Sequence, residues 1–577
     1  MEKTHASLSR RTFLTGAVTA GAVAAMGGLA GCSSPKSKSS DTSASKSGSG
    51  STGSDQSWLG SAPQISDADC SEVLSVDVVV VGAGTGGYFA AGTSAENGMK
   101  TLLIEKSGAG DGIRSSALGA INSKAQQAQG VKIDKTSIVN DIDRYGDGHV
   151  NVPLINQWAN NSGEAIDWYT DILAKNGIDV QLEWNMPEGT FYTDWPTGHG
   201  TNGGSYTDRE PKVAKIMDAY ITSFPGCEER FHTPMQKLIV EDGKVVGLYA
   251  KDEDKGSYIR INASKGVIVA TGGYAFNEDM YAARQSTRMS GLGTFGGFPT
   301  CTGDGIKALM WIGAQIDDVP TSLSFNRCLL RSDQQLGDPF STGDDFGYFF
   351  YSSQPFLRVD NEGNRFHNES APYDYVLSAS SRRPEGDRFW HQIWDANWKD
   401  DVTRFHTVGC STLVYREGAD HDAIPGGLDS YVEPEMEEFV EAGFIQKANT
   451  LDELADKMGI TDKKNFLATC ETQNKNYDAQ SDPEFGKEAF RLSALKTPPF
   501  YGTTRSSGLT LCTLDGIKTN ATYQPYGDDG SVIDGVYVIG NDCGGFYAGT
   551  YPNTAAGLNA GRCATGGRQV AKMLATK

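Results

Sequence analysis

The chain contains no CxxC pair, no CxxCH haem-attachment site and no iron–sulfur spacing, although it has 10 cysteines. A covalently held haem or an iron–sulfur cluster of its own is therefore excluded. Cys70, Cys227, Cys301, Cys328, Cys410, Cys470, Cys512, Cys543 and Cys563 read as buried, unpaired thiols, because a protein folded in the reducing cytoplasm needs no disulfides. Histidine is scarce, with 8 in 577 residues. His199, His367, His391 and His406 are isolated and lack metal-ligand spacing, so no metal site is expected. The folded part has no basic cluster, and a net charge of -21 argues against nucleic acid as a partner. Internal repeats are absent. Glycine is abundant, 69 residues, beside 38% apolar residues, which suits a large globular α/β enzyme with room for two or more domains.

The N-terminus reads as an address. Ser9-Arg10-Arg11-Thr12-Phe13-Leu14 is a twin-arginine signature, followed by a Gly/Ala-rich apolar stretch to Gly28. Leu29-Ala30-Gly31-Cys32 reads as a lipoprotein cleavage box. The expectation is removal of residues 1–31 and acylation of Cys32. A transmembrane anchor is the competing reading, but the stretch is barely long enough and is rich in Gly, Ala and Thr. Residues 32–65 comprise the lipidated cysteine and a flexible Ser/Gly/Lys tether. The twin-arginine route carries folded proteins, often with cofactor inserted. The expected location is the extracytoplasmic face of the bacterial cytoplasmic membrane, with attachment through lipid only.

The strongest internal motif is Val78 to Val81 followed by Gly82-Ala83-Gly84-Thr85-Gly86-Gly87. A buried strand enters a glycine turn, which opens a helix over Tyr88 to Asn97. Gly82 permits the turn, Gly84 lets the backbone approach phosphate, and Gly87 lets helix and strand pack closely. A second strand, Thr101 to Ile104, ends in Glu105, placed to accept hydrogen bonds from a ribose. The helix N-terminus would face a pyrophosphate. Gly108 to Ala117, with Gly112, Ser115, Ser116 and Ala117, could wrap the same ligand. Two further strand-to-glycine junctions are Lys265 to Gly273 and Gly535 to Asp542. A helix is expected over about 153–176, a β-rich stretch over 235–261, and a last helix over about 555–573. Junctions at the start, middle and end of one chain make the cofactor domain discontinuous. Its parts are placed at 66–320 and 504–577, with a capping domain inserted at 321–503. The fold class is α/β, a Rossmann-like domain carrying an α+β cap.

These segments resemble the flavoprotein subunits of the fumarate reductase/succinate dehydrogenase superfamily, including the 3-ketosteroid dehydrogenases. The resemblance rests on the Gly82-Gly84-Gly87 turn with Glu105, and on Ala270-Thr271-Gly272-Gly273. It continues through Gly303-Asp304-Gly305-Ile306-Lys307, Asn361-Glu362-Gly363-Asn364-Arg365-Phe366 with Asn368-Glu369, and Gly535 to Gly540. It implies FAD, held by the glycine turn with Glu105, Lys106, Thr271, Gly272, Gly273 and Asp304. On the C-terminal side it implies Gly540, Asn541, Asp542 and Ala555. No histidine near Gly112 to Ala117 offers covalent attachment. The implied reaction is hydride transfer between flavin N5 and the β-carbon of an activated C=C bond, with a protein acid delivering a proton to the α-carbon.

The departures from that pattern bear on substrate. Fumarate-reducing members carry an arginine proton donor shortly after the Asn-Glu pair, where this chain has Tyr373. Tyr547 and Tyr551 stand where a histidine and an arginine hold substrate carboxylate. A dicarboxylate needs fixed positive charge, whereas a phenol suits an uncharged carbonyl. Tyr551-Pro552 also resembles the Tyr-Pro-Gly segment of ketosteroid dehydrogenases, although Asn553-Thr554-Ala555 follows in place of glycines. Tyr373 is the candidate general acid, because a phenol is protonated at neutral pH. A packed aromatic is the alternative role. Tyr551 is the candidate carbonyl anchor. Arg505 could hold a carboxylate or be a solvated or FAD-adjacent side chain, and Arg365 is read as structural.

The expected function is reduction of an α,β-unsaturated carbonyl compound, as a terminal reductase in anaerobic respiration. Electrons would come from a separate cytochrome or FMN flavoprotein. A ketosteroid-type dehydrogenase running oxidatively and a non-catalytic surface electron relay remain the alternatives.

Overall fold

The computed structural model describes residues 56–577 apart from 111, 184–186, 202–205, 290, 296, 335, 337–346, 385, 409–410 and 415–427. The signal segment, Cys32, residues 33–55 of the tether, Cys410 and Asp111 therefore lie outside the described residues.

The first strand, β1 (Cys70–Val81), changes character along its length. Exposure alternates over its first half, and then Val78 to Val81 are buried without interruption. Such a continuous apolar run fits a parallel strand covered on both faces. The glycine turn passes the chain into α1 (Thr85–Glu96) and then β2 (Thr101–Ile104), parallel to β1 with Val78 opposite Thr101 and Val81 opposite Ile104. β3 (Glu228–Arg230) extends this edge in parallel. β4 (Met235–Glu241), β5 (Lys244–Asp252) and β6 (Ser257–Val269) form an antiparallel meander. Its first hairpin turns at Asp242 and Gly243, both left-handed (φ 48° and 78°), as a tight two-residue hairpin demands.

β6 is the pivot of the sheet. One edge pairs in parallel with β1 along nearly its whole length. The other edge pairs first with β5 and then, over Val267 to Val269, with the strand Val536–Val538. The three strand-to-glycine junctions, distant in sequence, therefore end side by side at one rim of a seven-stranded sheet. A ligand in such a sheet sits at the carboxyl ends of its parallel strands.

After the short helix α2 (Asp304–Met310), β7 (Ser322–Leu330) rises from the cofactor side, buried at all nine positions. The helix α3 (Tyr373–Ser380) packs near it. β7 pairs antiparallel with β8 (Arg505–Thr513), which brings the chain back. Between them an antiparallel sheet of Leu357–Val359, His391–Trp394, Phe500–Thr503 and Ile445–Ala448 has its own apolar clusters. One surrounds Tyr351, Phe356, Trp394 and Phe405; the other joins Leu357, Val359, Leu454, Phe466 and Phe500. The last helix, α4 (Leu558–Ala575), packs against α1. Among the described residues no helix is long and apolar enough to cross a membrane.

Candidate active site

An elongated cavity of about 1590 Å³, part of it open to solvent, begins at the glycine turn and ends beneath β7 and α3. At the first end the backbone itself is the wall. A Cβ on Gly82 would stand 2.4 Å from the Ala270 carbonyl oxygen, and one on Gly87 only 1.8 Å from that of Gly82. Those two glycines serve packing. Gly84 differs, since a Cβ there meets nothing closer than the Gly112 oxygen at 3.7 Å, and its open side is the cavity.

Three helices begin at this cavity without a side-chain cap. α1 starts after Gly84, α2 after Gly303 and α4 after Gly557. Other helices in the chain are capped by Asp134, Asn151, Thr450 or Asp462. A glycine cap leaves first-turn N–H groups and the positive end of the helix dipole available to an anionic ligand. Glu105 lines the same end. One carboxylate oxygen accepts the Ala83 N–H at 2.8 Å and the other the Ser107 N–H at 2.9 Å, so the side chain braces the turn and keeps lone pairs toward the cavity. Lys106 pairs with Asp304 at 2.7 Å, tying the end of β2 to α2. Asp542 accepts the N–H groups of Thr271 and Gly273 and thereby joins the second and third junctions. Burial raises its carboxyl, opposed by the bonds from Thr271 and Gly273.

Of the residues expected at a cofactor, Gly82, Ala83, Gly84, Gly86, Glu105 and Lys106 line the cavity, as do Gly112, Ala117, Thr271, Gly272, Asp304, Gly540 and Asn541. Gly87, Gly273, Asp542 and Ala555 stand behind this lining. Ser115 and Ser116 lie in the wrapping loop with buried hydroxyls that have no partner among the described residues. Uncapped helix ends, a glycine-walled trough and orphaned hydroxyls fit a dinucleotide with an anionic pyrophosphate, and so fit FAD.

The far end has a different chemistry. Leu323 and Phe325 from β7, Leu511 and Cys512 from β8, Tyr373 at the start of α3, and Tyr551 and Asn553 line it. The phenol oxygen of Tyr551 accepts the Asn559 N–H at 3.2 Å. Its backbone N–H donates to Asp374 at 3.2 Å, and Asp374 pairs with Arg288 at 3.2 Å. Tyr547 and Arg505 are not brought to the cavity. Tyr547 is buried behind Tyr551, ring centroids 5.2 Å apart, against the guanidinium of Arg562. Arg505 donates to the Gln334 carbonyl at 2.9 Å and lies over Phe389. His199 is structural. It bonds to Ser123 and to the Thr197 carbonyl, and burial pulls its ring down to about 4. Three cysteines that line the cavity, Cys301, Cys512 and Cys563, carry thiols pushed by burial to about 12, 12 and 11. They are neutral and unreactive at pH 7.

Tyr373 and Asn553 also line a second, smaller polar cavity with Asp194, Ser353, Arg358, Glu369, Ser411 and Arg491. The Tyr373 phenol shares a hydrogen bond with the Ser411 hydroxyl. Behind it Arg327 donates to Ser353 at 2.6 Å, its guanidinium 5.6 Å from the Tyr373 ring centre. Deeper, Glu369 bonds Arg365 at 2.7 Å and Lys487 at 3.3 Å. Burial alone would raise the Glu369 carboxyl, but Arg365 and Lys487 hold it well below the ordinary range. Burial lowers Lys487 to about 8 and Arg358 to about 10, each opposed by Glu369. Composition gave no sign of this buried charge cluster, and only Arg365 and the Asn368-Glu369 pair marked it in the sequence.

The family model described as FAD binding domain matches residues 77–558. The chain is 25% identical over 503 residues to a vinyl phenol reductase of Lactiplantibacillus plantarum, covering 84% of this chain and 94% of that one. It is 27% identical over 586 residues to a digoxin reductase of Eggerthella lenta, covering 96% of each. Its fold matches a 3-ketosteroid-delta4-(5alpha)-dehydrogenase structure from Rhodococcus jostii RHA1 with a TM-score of 0.63 at 19% identity, covering 89% of this chain and 99% of that one.

Proposed function

The chain belongs to the FAD-binding family whose model spans residues 77–558, and on that premise we propose that it reduces C=C bonds activated by an uncharged carbonyl. It is an FAD-dependent oxidoreductase. The observation that carries the substrate class is the lining of the far end, where Leu323, Phe325, Leu511, Tyr373, Tyr551 and Asn553 stand with no lysine or arginine among them. The cations that line the cavity, Lys106 and Arg114, belong to the glycine-turn segments and pair with Asp304 and Glu210. A dicarboxylate would find no cation to pair with in that lining, since Arg327 lies behind Phe325 and Tyr373 and donates to Ser353. An aryl or alicyclic enone offers apolar surface to Leu323 and Phe325 and a neutral oxygen to the phenols.

FAD, when bound, supplies hydride chemistry from its reduced ring. The protein groups do the rest. Tyr551 anchors the carbonyl, whose oxygen gathers negative charge as the β-carbon is reduced. A donor already fixed in a water-poor site stabilises that charge most in the transition state. Tyr373 gives its phenolic proton to the α-carbon, and Ser411 and the polar cavity behind it return a proton to the phenolate. The reductase names of two relatives spanning nearly the whole chain support the reductive direction. The twin-arginine signature and Cys32 support an exported, lipid-anchored enzyme supplied by a separate electron-donor protein, acting as a terminal reductase in anaerobic respiration.

The test is a screen of acceptors against viologen-reduced holoprotein. Benzylideneacetone, cyclohexenone and methyl cinnamate should reoxidise it, and fumarate and urocanate should not. Efficient turnover of fumarate, or of no neutral enone, overturns the substrate class. Oxidation of saturated ketones with no reduction of enones would favour the dehydrogenase direction. A Cys32→Ala chain that still partitions with membranes would overturn the lipid anchor.

A further inference from the structure

We infer that the carboxamide of Asn553 is a second hydrogen-bond donor to the substrate carbonyl, beside the Tyr551 phenol. The inference rests on the reading of the far end as a neutral-carbonyl site. Three observations carry it. The first is orientation. The backbone N–H of Tyr373 donates to Asn553 Oδ1 at 2.7 Å. A main-chain N–H can only donate, so the amide oxygen must face it, and Nδ2 is turned the other way. The second is place. Asn553 lines both the far end of the large cavity and the polar cavity beside Tyr373. Among the described residues its NH₂ group has no partner, although its backbone N–H is used by the Tyr551 carbonyl at 2.9 Å.

The third is the lack of another side-chain donor of the same turn in the cavity lining, the Thr554 hydroxyl being buried outside it. Pro552 has no N–H, and the Ala555 N–H is already bonded to the Pro552 carbonyl at 2.9 Å. With Tyr551 and Asn553 two residues apart, the amide is the remaining side-chain donor of this turn that faces the cavity with the phenol. The same side chain holds the first N–H of α3, whose own N-cap residue, Pro372, offers no side-chain acceptor. One amide therefore fixes the acid Tyr373 relative to the anchor Tyr551 and points its NH₂ at the charge that develops between them. The bond changes balance simply. The C=C π bond breaks, the β-carbon gains hydride and the α-carbon gains the Tyr373 proton. Asn553 exchanges nothing and stabilises the enolate-like oxygen in passing.

Capping and donation are separable. Asp accepts an N–H as well as Asn does, so Asn553→Asp keeps the bond to Tyr373 while it replaces the donor with an anion, and Asn553→Ala removes the donor without adding charge. Holoprotein of wild type, N553D and N553A should be compared in three ways. The first is flavin content and melting temperature. The second is affinity for 4-phenylbutan-2-one, read from the visible difference spectrum of the bound flavin. The third is reoxidation of dye-reduced protein by benzylideneacetone and, separately, by dioxygen.

N553D should keep its flavin and its dioxygen reaction. It should bind the ketone at least tenfold more weakly and lose about 100-fold in enone reduction, the usual loss for one oxyanion donor. Relative to wild type, its enone rate should recover as the pH is lowered, because a protonated carboxyl donates again. N553A should show the same losses without the recovery. If N553A fails to hold flavin, N553D at low pH decides, where its carboxyl is protonated, uncharged and again a donor. Enone rates and ketone affinities within threefold of wild type in both variants would overturn the inference. Absence of enone reduction in wild type itself would instead overturn the reading of the site on which it rests.

Discussion

Substituting Gly84 and Gly87 by alanine separates what the glycine turn does for the fold from what it does for the ligand. In Gly87→Ala the new Cβ would lie 1.8 Å from the Gly82 carbonyl oxygen. A carbon contact is comfortable only near about 3.5 Å, so α1 must retreat by about 1.7 Å from the end of β1. Backbone meets backbone there, and no side chain can rotate out of the way. Overpacking of this kind costs at least about 1–3 kcal/mol, and it also displaces the uncapped N-terminus of α1.

Gly84→Ala meets no such obstacle. Its backbone (φ -89°, ψ -173°) is extended, a conformation alanine adopts freely, and the nearest atom to the new Cβ is 3.7 Å away. The methyl group instead enters the cavity. One misplaced methylene in a fitted pocket is worth about 10–200-fold in affinity. Apo-protein carrying Gly84→Ala should therefore melt with wild type by calorimetry and bind FAD at least tenfold more weakly in a fluorescence titration. Gly87→Ala should melt several degrees lower even without FAD. Equal FAD affinity in Gly84→Ala, or an unchanged melting temperature in Gly87→Ala, would refute the division.

Three further outcomes are expected. Tyr373→Phe should retain flavin and its reaction with dioxygen but lose about 10²- to 10⁴-fold in enone reduction, the usual worth of a positioned acid; stopped-flow reoxidation measures both. Glu369→Gln leaves Lys487 and Arg358 buried without their anion, while Arg365 keeps Asp482 at 2.8 Å. It should cost about 3–5 kcal/mol in stability, seen as a large fall in denaturation midpoint; a midpoint near wild type would show the cluster to be hydrated. Glu229 has a buried carboxyl oxygen with no partner among the described residues, and Asp218 beside it takes the Tyr88 hydroxyl at 2.6 Å. Burial and then the Asp218 charge raise the Glu229 carboxyl, so the fold holds a proton that the unfolded chain has released. Stability from this site must fall as pH rises above the ordinary carboxyl range. Glu229→Gln should therefore gain on wild type in thermal melts between pH 5 and 8, and parallel pH curves would contradict the assignment.

The cofactor half was legible because each of its parts is local. Val78 to Val81, the three spaced glycines and Thr101 to Ile104 state a βαβ unit within one short stretch. Thr101–Ile104 falls where the sequence places it. β1 is longer than its apolar run indicates, since its first half, from Cys70, alternates in exposure. β7 was missed because Ser-Leu-Ser-Phe-Asn-Arg-Cys-Leu-Leu mixes serines into a strand that is buried throughout. Its hydroxyls are satisfied inside, Ser324 by the Thr510 hydroxyl at 3.2 Å, so polarity there does not mean solvent. The alternation of Leu323 and Phe325 with serines carried the signal for the wall of the far end.

The far end itself is assembled from segments that have no local relation. Phe325, Tyr373 and Tyr551 meet because β7, α3 and the turn before α4 converge over the sheet rim. A motif match fixes which residue types lie near one another but not the direction of each side chain. Tyr547 and Tyr551 show the difference, one buried against Arg562 and the other facing the cavity, though four residues apart. Arg505 opens β8, and its side chain leaves toward Gln334 and Phe389, so a cation close in sequence to the flavin-side strands contributes nothing to the lining. Those segments are joined by a hydrogen bond that spans 180 residues, from the Tyr373 N–H to Asn553. It sets the proposed acid against the proposed carbonyl anchor, and on that reading a change on either side of it should alter which carbonyl compounds are reduced before it alters whether FAD is held.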